Sequence, residues 1–187
     1  MLTTGITVYF MDFLMLGFIG MQRFDDNAVR GAILVTDEDT NPLEFRVTAP
    51  VRPTSLQEVL YGELLSEHIA VKLLGQSLLS AVENQPDLII VRNNLFLRLN
   101  NEQEVPTVLL SRENEPTYQE KGLTKQLNAP NSERSPLKVS TSSALEQEID
   151  DISQRLQSIF ISRDLMEPFE RIERACSDVH VRKLGDA

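Results

Sequence analysis

Carboxylates are the first candidates for chemistry in this sequence. Asp37, Glu38, Asp39 and Glu44 fall in one short stretch, and Glu63, Glu67 and Asp87 follow it. Two-metal phosphodiester hydrolysis needs acids converging on ions about 4 Å apart, and Asp37, Asp39, Glu67 and Asp87 are the set that could supply them. The same Asp37–Asp39 run reads as an ordinary solvated turn. Nucleophiles are scarce. Cys176 is the one cysteine, so an intrachain disulfide and a thiolate metal cluster are excluded, and it reads as a small buried apolar residue. His180 follows it by one helical turn, which puts thiol and imidazole on one face but supplies no orienting group. The only other histidine, His68, lies in a different predicted helix, so a zinc site would need carboxylates from elsewhere. Gly17 and Gly20 sit in strand-like text, with no phosphate-loop or nucleophile-elbow spacing around them. No catalytic residue, cofactor, metal site or small-molecule substrate is expected.

The chain has 187 residues, enough for one ordinary domain and a tail. It carries 28 acidic against 18 basic residues, a net charge of −10, and no segment is strongly basic. Non-specific nucleic-acid affinity comes from Lys and Arg displacing counterions at phosphates, so scattered arginines would have to be concentrated by folding. Nucleic acid is therefore not an expected partner, and an anionic membrane surface is not one either. The apolar run Ile6–Met21 is interrupted by Asp12 and falls short of the ~20 residues that span a bilayer. Residues 1–15 read as a ragged leader, with Met11 and Met15 as alternative starts. A lone cysteine suits a reducing cytoplasm.

The elements that must position any site follow from periodicity. Leu16–Arg23, Gly31–Thr36 and Leu43–Val47 read as a three-stranded antiparallel meander, with turn residues Asp25-Asp26-Asn27 and Asp37–Pro42 between them. Pro50 and Pro53 hold the next stretch extended. Thr54-x-x-Gln57 and Ser55-x-x-Glu58 are overlapping capping boxes that open a helix or helix pair reaching Val82. Leu88–Val91 reads as a central strand. Asn93-Asn94 suits a hairpin turn returning Leu95–Leu99 as a strand, and Val105–Leu110 suits an edge strand, limited by Pro106. Residues 111–143 are poor in large apolar side chains and read as a disordered linker.

The tail reorders over 144–184. Ser143-x-x-Glu146 marks a helix start, and Leu145, Ile149, Ile152, Leu156 and Ile159 step by four and three. The steps recur at Leu165, Phe169, Ile172, Cys176 and Val179, so the tail is expected to form a helical hairpin or to pair with another chain. Arg46, Arg52 and Tyr61 flank the Pro-x-x-Pro arc as a recognition surface or as braces of the strand-to-helix corner. Candidate partner-binding residues are thus Arg46, Arg52, Tyr61, Leu145, Ile149, Ile152, Leu156 and Ile159.

Three resemblances attach to these residues. Residues 16–92, with Gly31-Ala-Ile-Leu-Val-Thr-Asp37 and Glu44–Gly62, resemble small uncharacterised bacterial proteins with no assigned activity. The order meander, helix, strand is similar in topology to the ribonuclease H fold, whose nucleases place one carboxylate within the first strand and another at the end of the strand after the helix. Here Leu16–Arg23 holds no acid, and Arg92 follows Leu88–Val91, where its charge would repel a metal. The roadblock/longin scaffolds are a further topological analogy. The expectation is an α+β, non-enzymatic, cytoplasmic interaction or scaffold module of residues 16–110, pairing through its C-terminal helices with a protein partner or a second copy. The alternative is a metal-dependent nuclease, or an inactive derivative of one, with ribonuclease H-like topology.

Overall fold

The computed structural model describes residues 15–116 and 123–185. The central strands are near-continuous runs of buried residues, whose successive side chains point to opposite faces, so one sheet carries a core on each face. Seven strands, β1 (Leu16–Arg23), β2 (Val29–Thr36), β3 (Pro42–Val47), β4 (Leu88–Val91), β5 (Thr107–Arg112), β6 (Thr124–Leu127) and β7 (Leu137–Ser140), lie in the order β3-β2-β1-β4-β5-β7-β6. The meander is antiparallel, β1, β4 and β5 run parallel, and β7 and β6 close the far edge antiparallel. The class is α+β.

Leu16, Phe18, Ala32, Leu34, Leu88 and Ile90 face one layer, built from α4 (Ile149–Ser162) and α5 (Glu167–Gly185). Their neighbours Ile19, Ile33, Val35, Ile89 and Val91 face the other. That layer is a broken helical run. It begins with α1 (Ser55–Tyr61), continues through α2 (Leu65–His68) and a wide π-helical stretch, Ile69–Gly75, and ends in α3 (Gln76–Ala81). Gly62 breaks the run between α1 and α2 with φ of 52°, a left-handed value that glycine adopts without strain. The Thr54 capping box forms, whereas Ser55 is already the first helical residue. No helix among the described residues is long and apolar enough to cross a membrane.

Several expectations are corrected here. Leu95–Leu99 is no strand: the Asn93 side chain accepts from the Leu95 N–H and caps a 3-10 helix over Asn94–Asn101, which buries Phe96, Leu97 and Leu99. β5 is interior rather than an edge, because Pro106 precedes the ladder and costs it no donor. The segment 111–143 is not a structureless linker within the described residues. It supplies the end of β5 together with β6 and β7, whose Leu127, Leu137 and Val139 are buried. Ser143–Leu145 makes a single 3-10 turn with no side-chain cap, and α4 starts only at Ile149. The two C-terminal helices lie on the sheet, not as a free-standing hairpin: α4 packs against β6, and α5 against β1 and β2. The expected leader lies outside the described residues except Met15, whose N–H donates to Asp87 Oδ2 at 2.9 Å.

Candidate functional site

In sheets with parallel strands, ligands bind in the crevice beyond the strands' carboxyl ends. Here that crevice opens where β4 stops and β1 continues. Ile19 pairs with Val91, so Gly20 and Arg92 are the first residues past the shared ladder. α5 crosses above. A Cβ on Gly20 would sit 3.0 Å from Ile172 Cγ2, so the glycine lets the helix approach the strand. A cleft of about 270 Å³ results, walled by Ile19, Met21 and Gln22 from β1, Arg92 and Asn93 after β4, and Phe169, Ile172, Glu173 and Cys176 from α5.

Arg92 is the cation of this cleft. Its Nη2 donates to Glu115 Oε1 at 2.6 Å, its Nη1 has only the Met166 sulfur at 3.7 Å, and its buried Nε has no partner. Glu115 is held in turn by the backbone N–H of Arg112 at 2.9 Å. Across the cleft, Gln22 Nε2 donates to Ser177 Oγ at 3.0 Å, while its buried Oε1 has no partner. Burial pushes the Cys176 thiol up from its ordinary value against the opposing charge of Arg30, so it stays protonated and is a poor nucleophile. His180 is committed elsewhere: its Nδ1 accepts from Arg30 Nε at 3.0 Å, its ring stacks on Phe24 at 3.8 Å, and its Nε2 lies 3.4 Å from Asp26.

Around the cleft, the parallel strands end alike. β1 ends in Arg23, Arg92 follows β4, and β5 ends in Arg112. The alternation of the strands puts Arg92 and Arg112 on the α5 face of this edge, while Arg23, two residues beyond Met21, falls on the opposite face and donates to Asn27 Oδ1 at 2.9 Å. Periodicity could not find the Arg92–Arg112 pair, since only the parallel pairing of β4 and β5 sets them side by side. The signal within reach was Arg92 itself, at the end of a recognisable strand.

The acids singled out from sequence do not meet. Asp37 closes the β2–β3 turn onto Asn41, Glu38 pairs with Arg155, and Asp39 pairs with Arg163 at 3.2 Å. That turn lies at the far end of the strands from Arg92, because β2 runs antiparallel to β1. Glu67 lies 3.4 Å from Arg98 on the helical layer, and Asp87 precedes β4 at the opposite end from the cleft. Among the described residues no group of three or more His, Cys, Asp or Glu gathers as a metal site.

The candidate partner residues separate as well. Ile149, Ile152, Leu156 and Ile159 are buried in the core beneath α4, so their seam meets the sheet and not another chain, and Leu145 is half-buried. Arg46 pairs with Glu44 at 2.6 Å and with Glu83 at 3.2 Å; Arg52 pairs with Asp26; the Tyr61 ring lies 4.5 Å from that of His68.

No protein-family model and no curated protein sequence matches the chain. Solved structures do. Human endonuclease V aligns with a TM-score of 0.54 at 13% identity, over 92% of this chain and 86% of that one. A second structure, the catalytic domain of human endonuclease V, gives 0.54 at 12% identity over 94% and 85%. Endonuclease V of Ciona intestinalis, in complex with a DNA containing an inosine followed by a ribo-adenosine, aligns at 0.43 and 10% identity over 71% and 72%. The chain shares the fold of human endonuclease V. That finding overturns the expectation of a non-enzymatic protein-interaction scaffold, and with it the exclusion of nucleic acid as a partner, because the fold is one that an endonuclease carries.

Proposed function

We propose that this chain is a derivative of the ribonuclease H-like nuclease fold that binds a nucleic-acid strand along the carboxyl ends of β1, β4 and β5 without cutting it. The observation that carries the reading is the arginine edge: Arg92 lines an open cleft past β4, and Arg112 ends the adjacent parallel strand β5 on the same face of the sheet. Folding thus concentrates cations that are dispersed in an acidic sequence, which is what phosphate binding requires. The overall charge of −10 opposes a polyanion, so binding is local to this edge and steeply salt-dependent.

The two-ion chemistry implied by the topology does not fit the residues present. β1 offers no acid, the end of β4 offers Arg92, and among the described residues Glu173 is the one carboxylate lining the cleft. No hydrolytic step is therefore assigned. Cys176, lone and buried, suits a reducing cytoplasm, which we propose as the location.

Fluorescence anisotropy with labelled single-stranded DNA and RNA tests the reading. Two phosphate contacts on a single strand predict a log–log salt slope of about −1.4, at roughly −0.7 per contact. Absence of binding at low salt, or a slope near zero, refutes it. Cleavage of the strand on adding Mg2+ or Mn2+ refutes the non-cutting part.

A further inference from the structure

The mismatch between the topology and its residues has a physical form. Where a nuclease of this topology would set an acid to hold a cation, this chain sets a cation. We infer that Arg92 takes the electrostatic place of a divalent ion: the cleft holds a phosphodiester group on a fixed guanidinium, and does so without metal. The inference rests on the proposed strand binding and names the chemistry of that same site.

Three observations support it. Arg92 is held in place: Nη2 is fixed on Glu115 Oε1, and Glu115 is itself fixed by the Arg112 N–H, so little side-chain freedom remains to be lost on binding. Part of its hydrogen-bonding capacity is unspent. Nη2 is used on Glu115 and Nε is buried out of a ligand's reach, but Nη1 meets only a thioether sulfur, a weak acceptor, and 31% of the side chain stays open to the cleft's surroundings. A guanidinium left this way is suited to a phosphate, which accepts several charge-assisted bonds at once. Finally, the cleft cannot compete for a divalent ion. Among the described residues Glu173 is the one carboxylate lining it, Glu115 is engaged by Arg92, and a hard cation needs several oxygen donors and no neighbouring positive charge.

The test measures binding of a labelled single-stranded oligonucleotide by anisotropy, in EDTA and in Mn2+, for the unaltered chain, Arg92→Gln and Arg92→Lys. Mn2+ binding without nucleic acid is followed in parallel by electron paramagnetic resonance. The expected result is equal affinity in EDTA and Mn2+ for the unaltered chain, with no ordered Mn2+ signal. Arg92→Gln is expected to bind about tenfold more weakly, with a salt slope shallower by about 0.7, the loss of one phosphate contact. Arg92→Lys keeps the slope because it keeps the charge, which separates a charge role from a folding defect. A tenfold gain in affinity on adding Mn2+ overturns the inference, as does an Arg92→Gln variant with an unchanged slope. Either result leaves strand binding standing. No binding in either buffer removes the strand-binding reading, and the inference falls with it.

Discussion

Replacing Leu156 with alanine asks whether the α4 seam is a core or an interface. Leu156 is 0% exposed and packs in the core between α4 and the sheet, with Ile152, Ile159 and Phe160 on the same helix. Leu-to-Ala changes at buried sites remove the transfer free energy of the lost methyls and leave a cavity, together about 3–4 kcal/mol. In a domain of this size each kcal/mol moves the midpoint by about 2–4 °C, so Leu156→Ala is expected to lower the Tm by roughly 6–16 °C. Ile161→Ala is the control on the same helix. Its side chain is in a residue 62% exposed, and a surface change away from special features costs about 0.5 kcal/mol or less. Thermal and urea unfolding by circular dichroism measure both, with light scattering on the same samples. A Leu156→Ala protein that unfolds within 1 °C of the parent but changes its mass in solution would refute the packing argument and restore the seam as an intermolecular surface.

Three further outcomes are expected. Gly17→Ala should destabilise by about 1–3 kcal/mol in urea titration, because the new Cβ would lie 2.9 Å from Pro86 Cβ and Cγ in a packed core. Arg30→Leu should cost about 3 kcal/mol by the same measurement: the buried guanidinium donates to His180 Nδ1 and, at 2.7 Å, to the Thr48 carbonyl, and both acceptors would be left dry. The Glu44 carboxylate accepts from the backbone N–H groups of Asn84 and Glu83 and from Arg46, which hold its pKa down at about 2. Its contribution is present above the unfolded value near 4.5 and is lost as pH falls from there toward about 2, so Glu44→Gln should remove part of the acid sensitivity in that window. An unchanged acid transition in the variant would count against this assignment.

Two patterns make the strands legible: Leu16–Arg23 is bounded by its two-residue alternation closing at a turn cluster, and Leu88–Val91 by a continuous apolar run, the mark of a strand buried on both faces. The turn signal of Asn93-Asn94 misleads at Leu95–Leu99, because the Asn93 side chain caps a 3-10 helix instead of turning a hairpin. Composition misled at residues 111–143. β6 and β7 are short, and they gain order by pairing with each other and with β5, a long-range contribution that local hydropathy does not contain. In α4 the helical period was right and its partner wrong. A stripe at Ile149, Ile152, Leu156 and Ile159 states that one face is buried, and is silent on whether a sheet or another helix buries it.

The site divides along the same line. Arg92 can be read as an obstacle to metal binding from its place after a recognisable strand alone. What it becomes once Arg112 stands beside it depends on β4 and β5 being parallel neighbours, a property of topology and not of any window of sequence. Net charge was the misleading guide. A total of −10 describes the average surface, whereas a strand of nucleic acid senses the potential within a Debye length of where it lies, about 8 Å at physiological salt. Within that range the acids Asp37, Glu38 and Asp39, held at the opposite end of the sheet by Asn41, Arg155 and Arg163, are largely screened from the arginine edge. Asp25, Asp26, Glu113, Glu115 and Glu173 share the cleft's end of the sheet, so the binding edge rests on the local placement of Arg92 and Arg112 and not on a separation of the two signs.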